Sequence, residues 1–98
     1  MAAGNGGAYG QGTVLSPALA KNAIAVGASE TTRNGDQLKM HSLAYFSAIG
    51  PTPDGRIKPD ITAPGHFTVS ANAAAGSSTG ASSATCTTSS KSGTSMAT

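Results

Sequence analysis

This 98-residue chain has no tryptophan, two phenylalanines, two tyrosines and one cysteine, and only 10% of its residues are charged. A single cysteine, Cys86, excludes an internal disulfide framework and a cysteine-based zinc site. The pI of about 9.0 rests on six Lys and Arg scattered from Lys21 to Lys91, with no cluster among them and no aromatic platform for bases to stack on. Nucleic acid is therefore not an expected partner. No apolar run approaches the roughly 18 residues of a membrane span, and the N-terminus lacks the cationic start and apolar stretch of a signal peptide. No membrane segment and no targeting signal are expected.

Small residues take the place of large ones. Ala, Gly, Ser and Thr fill 56 positions, while Leu, Ile, Val and Phe supply 13. Most of what such a chain can bury is methyl groups, and a domain of this length buries only about two-thirds of its unfolded surface. Its net charge of +2 is too low for composition alone to dictate disorder. The chain reads as a piece of something larger, and made alone it is expected to be largely disordered or molten.

Along the chain, residues 1–12 are nearly all Gly, Ala and Asn, a composition suited to tight turns and close approach of another group. Ser16-Pro17-Ala18-Leu19-Ala20-Lys21-Asn22 predicts one helical turn, with Ser at the cap and Pro at the first helical position. Ala23 to Ala28 is a short uncharged run that predicts a strand covered on both faces. Asn34-Gly35-Asp36 between polar flanks predicts a hairpin or exposed loop over Glu30 to His41. Pro51-Thr52-Pro53-Asp54-Gly55 is a turn, Lys58 to Gly65 fits a very short strand fenced by prolines, and Phe67 to Ala71 is a second short apolar run. Asn72 to Ser92, without periodicity, reads as a long surface loop.

Chemistry could reside at Ser92-Gly93-Thr94-Ser95-Met96-Ala97-Thr98. A serine hydroxyl becomes a useful nucleophile when a base takes its proton and donors stabilise the oxyanion that forms. A preceding glycine permits a sharp turn, and small residues after it can start a helix. In a chain this rich in Ser and Thr, the segment by itself reads as a Ser-rich tail. Ala97 stands where a hydrolase nucleophile elbow requires glycine, and Gly10-Gln11-Gly12 lacks the third glycine of a dinucleotide loop. Asp60, His66 and Ser95 occur in an order that a local triad could use, but their spacing does not select them.

The full set of motifs is more specific. Ala2-Ala3-Gly4-Asn5, Ser16-Pro17, Asn22 to Ala28, Phe46-Ser47 with Gly50-Pro51, Asp54-Gly55-Arg56-Ile57-Lys58-Pro59-Asp60-Ile61, Ala63-Pro64-Gly65 and Gly93-Thr94-Ser95-Met96-Ala97 follow one another in this order. Together they closely resemble the later part of the catalytic domain of subtilisin-like serine proteases, the subtilase family. The resemblance implies an α/β chain, a fragment of a three-layer subtilisin-like fold with a mostly parallel sheet. Residues 1–98 would be a partial peptidase catalytic domain, its C-terminal part, truncated at both ends.

The resemblance also implies roles for individual residues. Ser95 matches the nucleophile and Asn5 the asparagine whose amide helps form the oxyanion hole. Ala2, Ala3 and Gly4 match a strand that lines the primary specificity pocket and pairs with the substrate backbone. The triad Asp and His would lie upstream, in the missing N-terminal part of the same domain, which makes that part a partner alongside a polypeptide substrate. A secreted or extracellular location is implied. In a secreted parent Cys86 is either an inert thiol or, the favoured alternative, half of a bridge to a missing segment. No cofactor or metal is expected in this fragment, whose carboxylates are few and dispersed, although calcium is possible in the parent. The expected activity is serine endopeptidase; the alternative is an inactive homologue serving as a binding or structural domain.

Overall fold

A computed structural model of the chain describes residues 1–31, 33–34, 37–38, 42–72 and 87–98. Cys86, His41 and the centre of the turn at Gly35-Asp36 lie outside the described residues. Strand β1, Val26–Ser29, pairs in parallel with β4, Ile61–Pro64, in a register that sets Val26 against Ile61 and Ser29 against Pro64. On the other side of β1, Ala2 forms a parallel bridge to Val26, with Val26 N–H donating to Met1 C=O at 2.8 Å and Ala3 N–H donating to Val26 C=O at 3.0 Å. Three consecutive segments of parallel backbone therefore lie side by side. Two antiparallel pairs accompany them: β2 (Arg33–Asn34) with β3 (Gln37–Leu38), and β5 (Thr68–Asn72) with β6 (Thr87–Lys91). The one α-helix among the described residues, α1, is the single turn Thr94–Ala97.

The expected strand at Ala23 to Ala28 is present, starting three residues later than its composition suggested and ending one residue later. All four β1 residues are buried, as a strand covered on both faces requires. Gly27 is needed for close approach, because a Cβ there would sit 2.8 Å from Pro59 Cγ and 3.1 Å from Ser47 Oγ. The buried Ser47 hydroxyl accepts a hydrogen bond from Ala28 N–H at 3.0 Å, which satisfies a buried strand amide.

Two expectations are corrected. Ser16 to Asn22 does not form an α-helical turn; it runs as successive tight turns, with Ala18 N–H donating to Leu15 C=O, Ala20 N–H to Pro17 C=O and Ala23 N–H to Ala20 C=O. Every bond there spans three residues, so the segment lacks the four-residue ladder of an α-helix. The loop expected over Asn72 to Ser92 ends in strand β6, whose Thr, Ser and Lys residues pair with β5 and show no apolar alternation to announce them. The hairpin expected near Asn34-Gly35 is present as the pairing of Asn34 with Gln37.

The core is as thin as composition suggested. Ala3, Val14, Ala18, Ala25 and Ala48 form the main buried cluster, with Leu19 packed against it. Most of the large apolar side chains are outside it: Tyr9, Leu15, Ile24, Ile57, Ile61 and Val69 are all exposed. Polar clamps hold segments that apolar contact does not. The buried Lys58 ammonium donates to Ala23 C=O at 2.8 Å and to Asp60 Oδ2 at 2.6 Å, and the same carboxylate oxygen accepts from Ala25 N–H at 2.7 Å. Arg56 spans Asp54 and Leu19 C=O in the same manner.

These features carry two predictions. Methyl-sized core residues cannot offset the entropy of ordering the chain, so the 98 residues made alone should exchange backbone amides rapidly even from Ala23 to Ala28. Slow, cooperative protection of that segment in a deuterium-exchange measurement would show the piece to be self-sufficient. The second concerns acid. The Lys58 ammonium, helped by Ala25 N–H, holds Asp60 below the usual carboxylate range, and Arg56 with the Thr52 hydroxyl does the same to Asp54. A depressed folded-state pKa stabilises above the unfolded value of about 4 and loses that contribution as pH falls through the folded value. In the full-length protein, Asp60→Asn should therefore lower the melting temperature at neutral pH and flatten its decline below about pH 4; an unchanged acid slope would remove Asp60 from the account.

Candidate active site

The segment Met1 to Asn5 and the segment Gly93 to Thr98 are joined through one side chain. Thr94, buried at 1% exposure, has its hydroxyl between two partners: it accepts from Gly4 N–H at 3.1 Å and donates to Asn5 Oδ1 at 3.0 Å. Thr94 N–H donates to the same Asn5 oxygen at 2.9 Å. Two donors on one amide atom identify it as the oxygen. Nδ2, which can only donate, is the end of the Asn5 amide left for a ligand, and Asn5 is exposed.

Ser95 follows Thr94 on the same helical turn and is exposed. The structure thus brings Asn5 and the residue before Ser95 into direct hydrogen bonding across about 90 positions of sequence. Gly93 lies against Asn5 and Met96, since a Cβ there would be in ordinary contact with Asn5 Nδ2 at 3.5 Å and Met96 Sδ at 3.4 Å. Ala2 and Gly4 are half-buried beside it, whereas Ala3 faces the core. Ala3 N–H and C=O bond to Val26 and Leu15, and those of Gly4 to Thr94 and Ala48. The N–H groups of both residues are thus engaged, and each carbonyl already accepts one hydrogen bond.

Beneath the helical turn, Gly93 N–H donates to Gly65 C=O at 2.8 Å. A Cβ on Gly65 would lie 2.7 Å from Ala28 Cβ, 2.8 Å from Gly93 O and 3.1 Å from Ala97 Cβ, so only glycine lets β1, the end of β4 and α1 meet. Phe67 N–H donates to Ser92 Oγ at 3.0 Å, which ties the start of β5 to the residue before Gly93.

A local triad is not assembled. Asp60 is engaged by Lys58 and Ala25, and the His66 imidazole Nδ1 is paired with Glu30 Oε2. Among the described residues no three of His, Cys, Asp and Glu gather in a way that could hold a metal, and Glu30, Asp54 and Asp60 each face a basic side chain of this chain. Thr94 is the residue sequence reasoning passed over, because nothing in its type separates it from the other eleven threonines except its place beside Ser95.

Comparison with known proteins identifies the family. The subtilase family model matches residues 1–98. The chain belongs to the subtilase family. It is 43% identical over 67 residues to the serine protease AprX of Bacillus subtilis, an alignment covering 66% of this chain and 14% of AprX. An uncharacterised protein of Aquifex aeolicus is 44% identical over 62 residues, covering 61% of this chain and 28% of that protein. A serine protease/ABC transporter B family protein, tagD, of Dictyostelium discoideum is 55% identical over 31 residues, covering 32% of this chain and 2% of that protein. The chain thus corresponds to a minor part of the length of each relative.

The contact at Gly65 is testable in the full-length subtilase. Gly65→Ala should destabilise it by about 1–3 kcal/mol, the usual cost of forcing a methyl group into a filled site. A thermal unfolding midpoint equal to that of the unmodified protein would show that α1 can move away from β4 without loss.

Proposed function

We propose that residues 1–98 are the part of a subtilase catalytic domain that supplies the nucleophile, Ser95, and the oxyanion donor, Asn5, of a secreted or extracellular serine endopeptidase. The observation that carries this reading is the double hydrogen bond from Thr94 to Asn5 Oδ1, which turns an amide donor outward beside an exposed serine. Ser95 Oγ attacks the scissile carbonyl carbon and passes its proton to a histidine base that the family resemblance places upstream, oriented by an upstream aspartate. The carbonyl oxygen becomes negative as the tetrahedral intermediate forms, and Asn5 Nδ2 donates to it there. Collapse expels the amine with the proton from histidine, leaving an acyl group on Ser95 that water then removes. Ala2 and Gly4 line the adjoining pocket, supported by Ala3.

The test is a fluorogenic peptide assay on the full-length protein. Ser95→Ala should abolish turnover, and Asn5→Ala should lower kcat by about 100- to 1,000-fold with little change in KM, the loss known for this donor in subtilisin itself. The 98-residue chain alone should be no more active than its Ser95→Ala form, since it supplies no base. An inactive homologue would instead show no Ser95-dependent turnover in the full-length protein, and unchanged kcat in Asn5→Ala would remove Asn5 from the oxyanion site.

A further inference from the structure

Three of the four Phe and Tyr residues of the chain gather on one imidazole. His66 stacks on Phe67 with centroids 4.0 Å apart at 23°, and Phe46 and Tyr45 meet it edge to face at 5.5 and 6.2 Å. Its Nδ1 is paired with the Glu30 carboxylate at the end of β1, and both side chains are largely buried. The ring therefore has a fixed plane, a fixed direction and an anchored partner. Glu30 is itself held, its N–H donating to Ser42 C=O at 2.9 Å.

The residues flanking His66 connect this anchor to the nucleophile. On one side, Gly65 C=O accepts from Gly93 N–H. On the other, Phe67 N–H donates to Ser92 Oγ. The two residues that lead into Thr94 and Ser95 are thus both bonded to the immediate neighbours of His66. Phe67 has φ of 55°, a left-handed conformation that a bulky side chain adopts only where its surroundings impose it. What imposes it here is the stack on His66 together with the bond to Ser92. Gly65 and His66 N–H groups also both point to Ser29 C=O, at 3.2 and 3.3 Å, which fastens the corner to the end of β1.

We propose that the Glu30–His66 pair is a positioning device for Ser95: by fixing the Gly65-His66-Phe67 corner it sets the Ser92-Gly93 turn, and with it the placement of the serine hydroxyl relative to Asn5. This rests on the reading of Ser95 as nucleophile given above. Neither residue touches the substrate. Loss of the pair acts on the chemical step, because the turn loosens while the lining of the pocket at Ala2 and Gly4, which is held by β1 and Thr94, stays in place. Errors of about 1 Å in the placement of reacting groups can cost up to about 100-fold in rate.

The experiment uses the full-length protein with Glu30→Ala, Glu30→Gln, His66→Ala, the double variant Glu30→Ala/His66→Ala, and Ser95→Ala. Three quantities are measured: kcat and KM on a fluorogenic peptide, the rate at which a fluorophosphonate phosphonylates Ser95 Oγ with loss of fluoride, and the melting temperature. Glu30→Ala and His66→Ala should each lower kcat and the phosphonylation rate about tenfold while KM stays within about twofold. Glu30→Gln, whose amide oxygen can still accept from the imidazole N–H, should recover most of that loss, and the double variant should be no slower than either single one. If His66→Ala does not fold, His66→Gln, which keeps bulk and a donor in the slot, replaces it against Glu30→Ala. Unchanged kcat in folded variants, losses that add in the double variant, or a loss that Glu30→Gln does not relieve would each overturn the proposal while Ser95→Ala remains inactive. Turnover and labelling that persist in Ser95→Ala would overturn the nucleophile reading, and the positioning role with it.

Discussion

The hydrogen bonds that Thr94 makes to Gly4 and Asn5 close the longest loop in the described structure. Without them, the segment that begins beside β1 and the turn that carries Ser95 would share only the contacts of small residues, which are too weak to fix a side chain in one orientation. With them, a single buried hydroxyl and its own amide define the amide face of Asn5 and seat the first residue of α1. Burial makes the arrangement strict. A threonine oxygen shielded from water must be satisfied by its neighbours, and an Asn5 amide rotated by half a turn would place N–H groups against N–H and O–H donors.

The composition becomes intelligible in this light. Parallel backbone segments, a glycine corner and a helical turn approach one another to within the thickness of a methyl group at Gly27 and Gly65. Larger residues at these places would separate β1 from Pro59 and α1 from β4. Small side chains therefore are the means by which the functional residues are brought together, and the cost is a core with little apolar area of its own. Buried polar clamps such as Lys58 with Asp60 and Ala23 hold segments together where apolar contact is missing, and they do so with direction, which alanine contacts cannot provide.

How much of this was legible in the sequence depended on the kind of signal. The run Ala23 to Ala28 announces a buried strand because nothing in it can face water, and Asn34-Gly35 announces a turn by its backbone preferences. Ser16-Pro17 misled, since a cap and an N-terminal proline are shared by helices and by chains of tight turns, and only the bonding pattern separates them. Strand β6 was hidden because Thr87 to Lys91 is polar throughout and is recruited by pairing with β5, not by burial. Asn5 and Ser95 were nominated by ordered motifs spanning the chain. Thr94 and the Glu30–His66 pair were not, because a side chain's partner 36 or 89 residues away leaves no periodicity to read.

The distribution of charge fixes what the site needs from elsewhere. Among the described residues, Glu30 is paired with His66, Asp54 with Arg56 and Asp60 with Lys58. Each acidic group has a structural partner, and the one described imidazole is turned toward a carboxylate and enclosed by rings. Moving any of them to serve Ser95 would strand the partner it leaves, which for the buried Lys58 ammonium means an uncompensated charge. The described part thus commits its own acids and bases to the scaffold. On the reading of Ser95 as the nucleophile, its base would come from outside the described residues, against a surface whose geometry Thr94 and the Gly65 corner have already set.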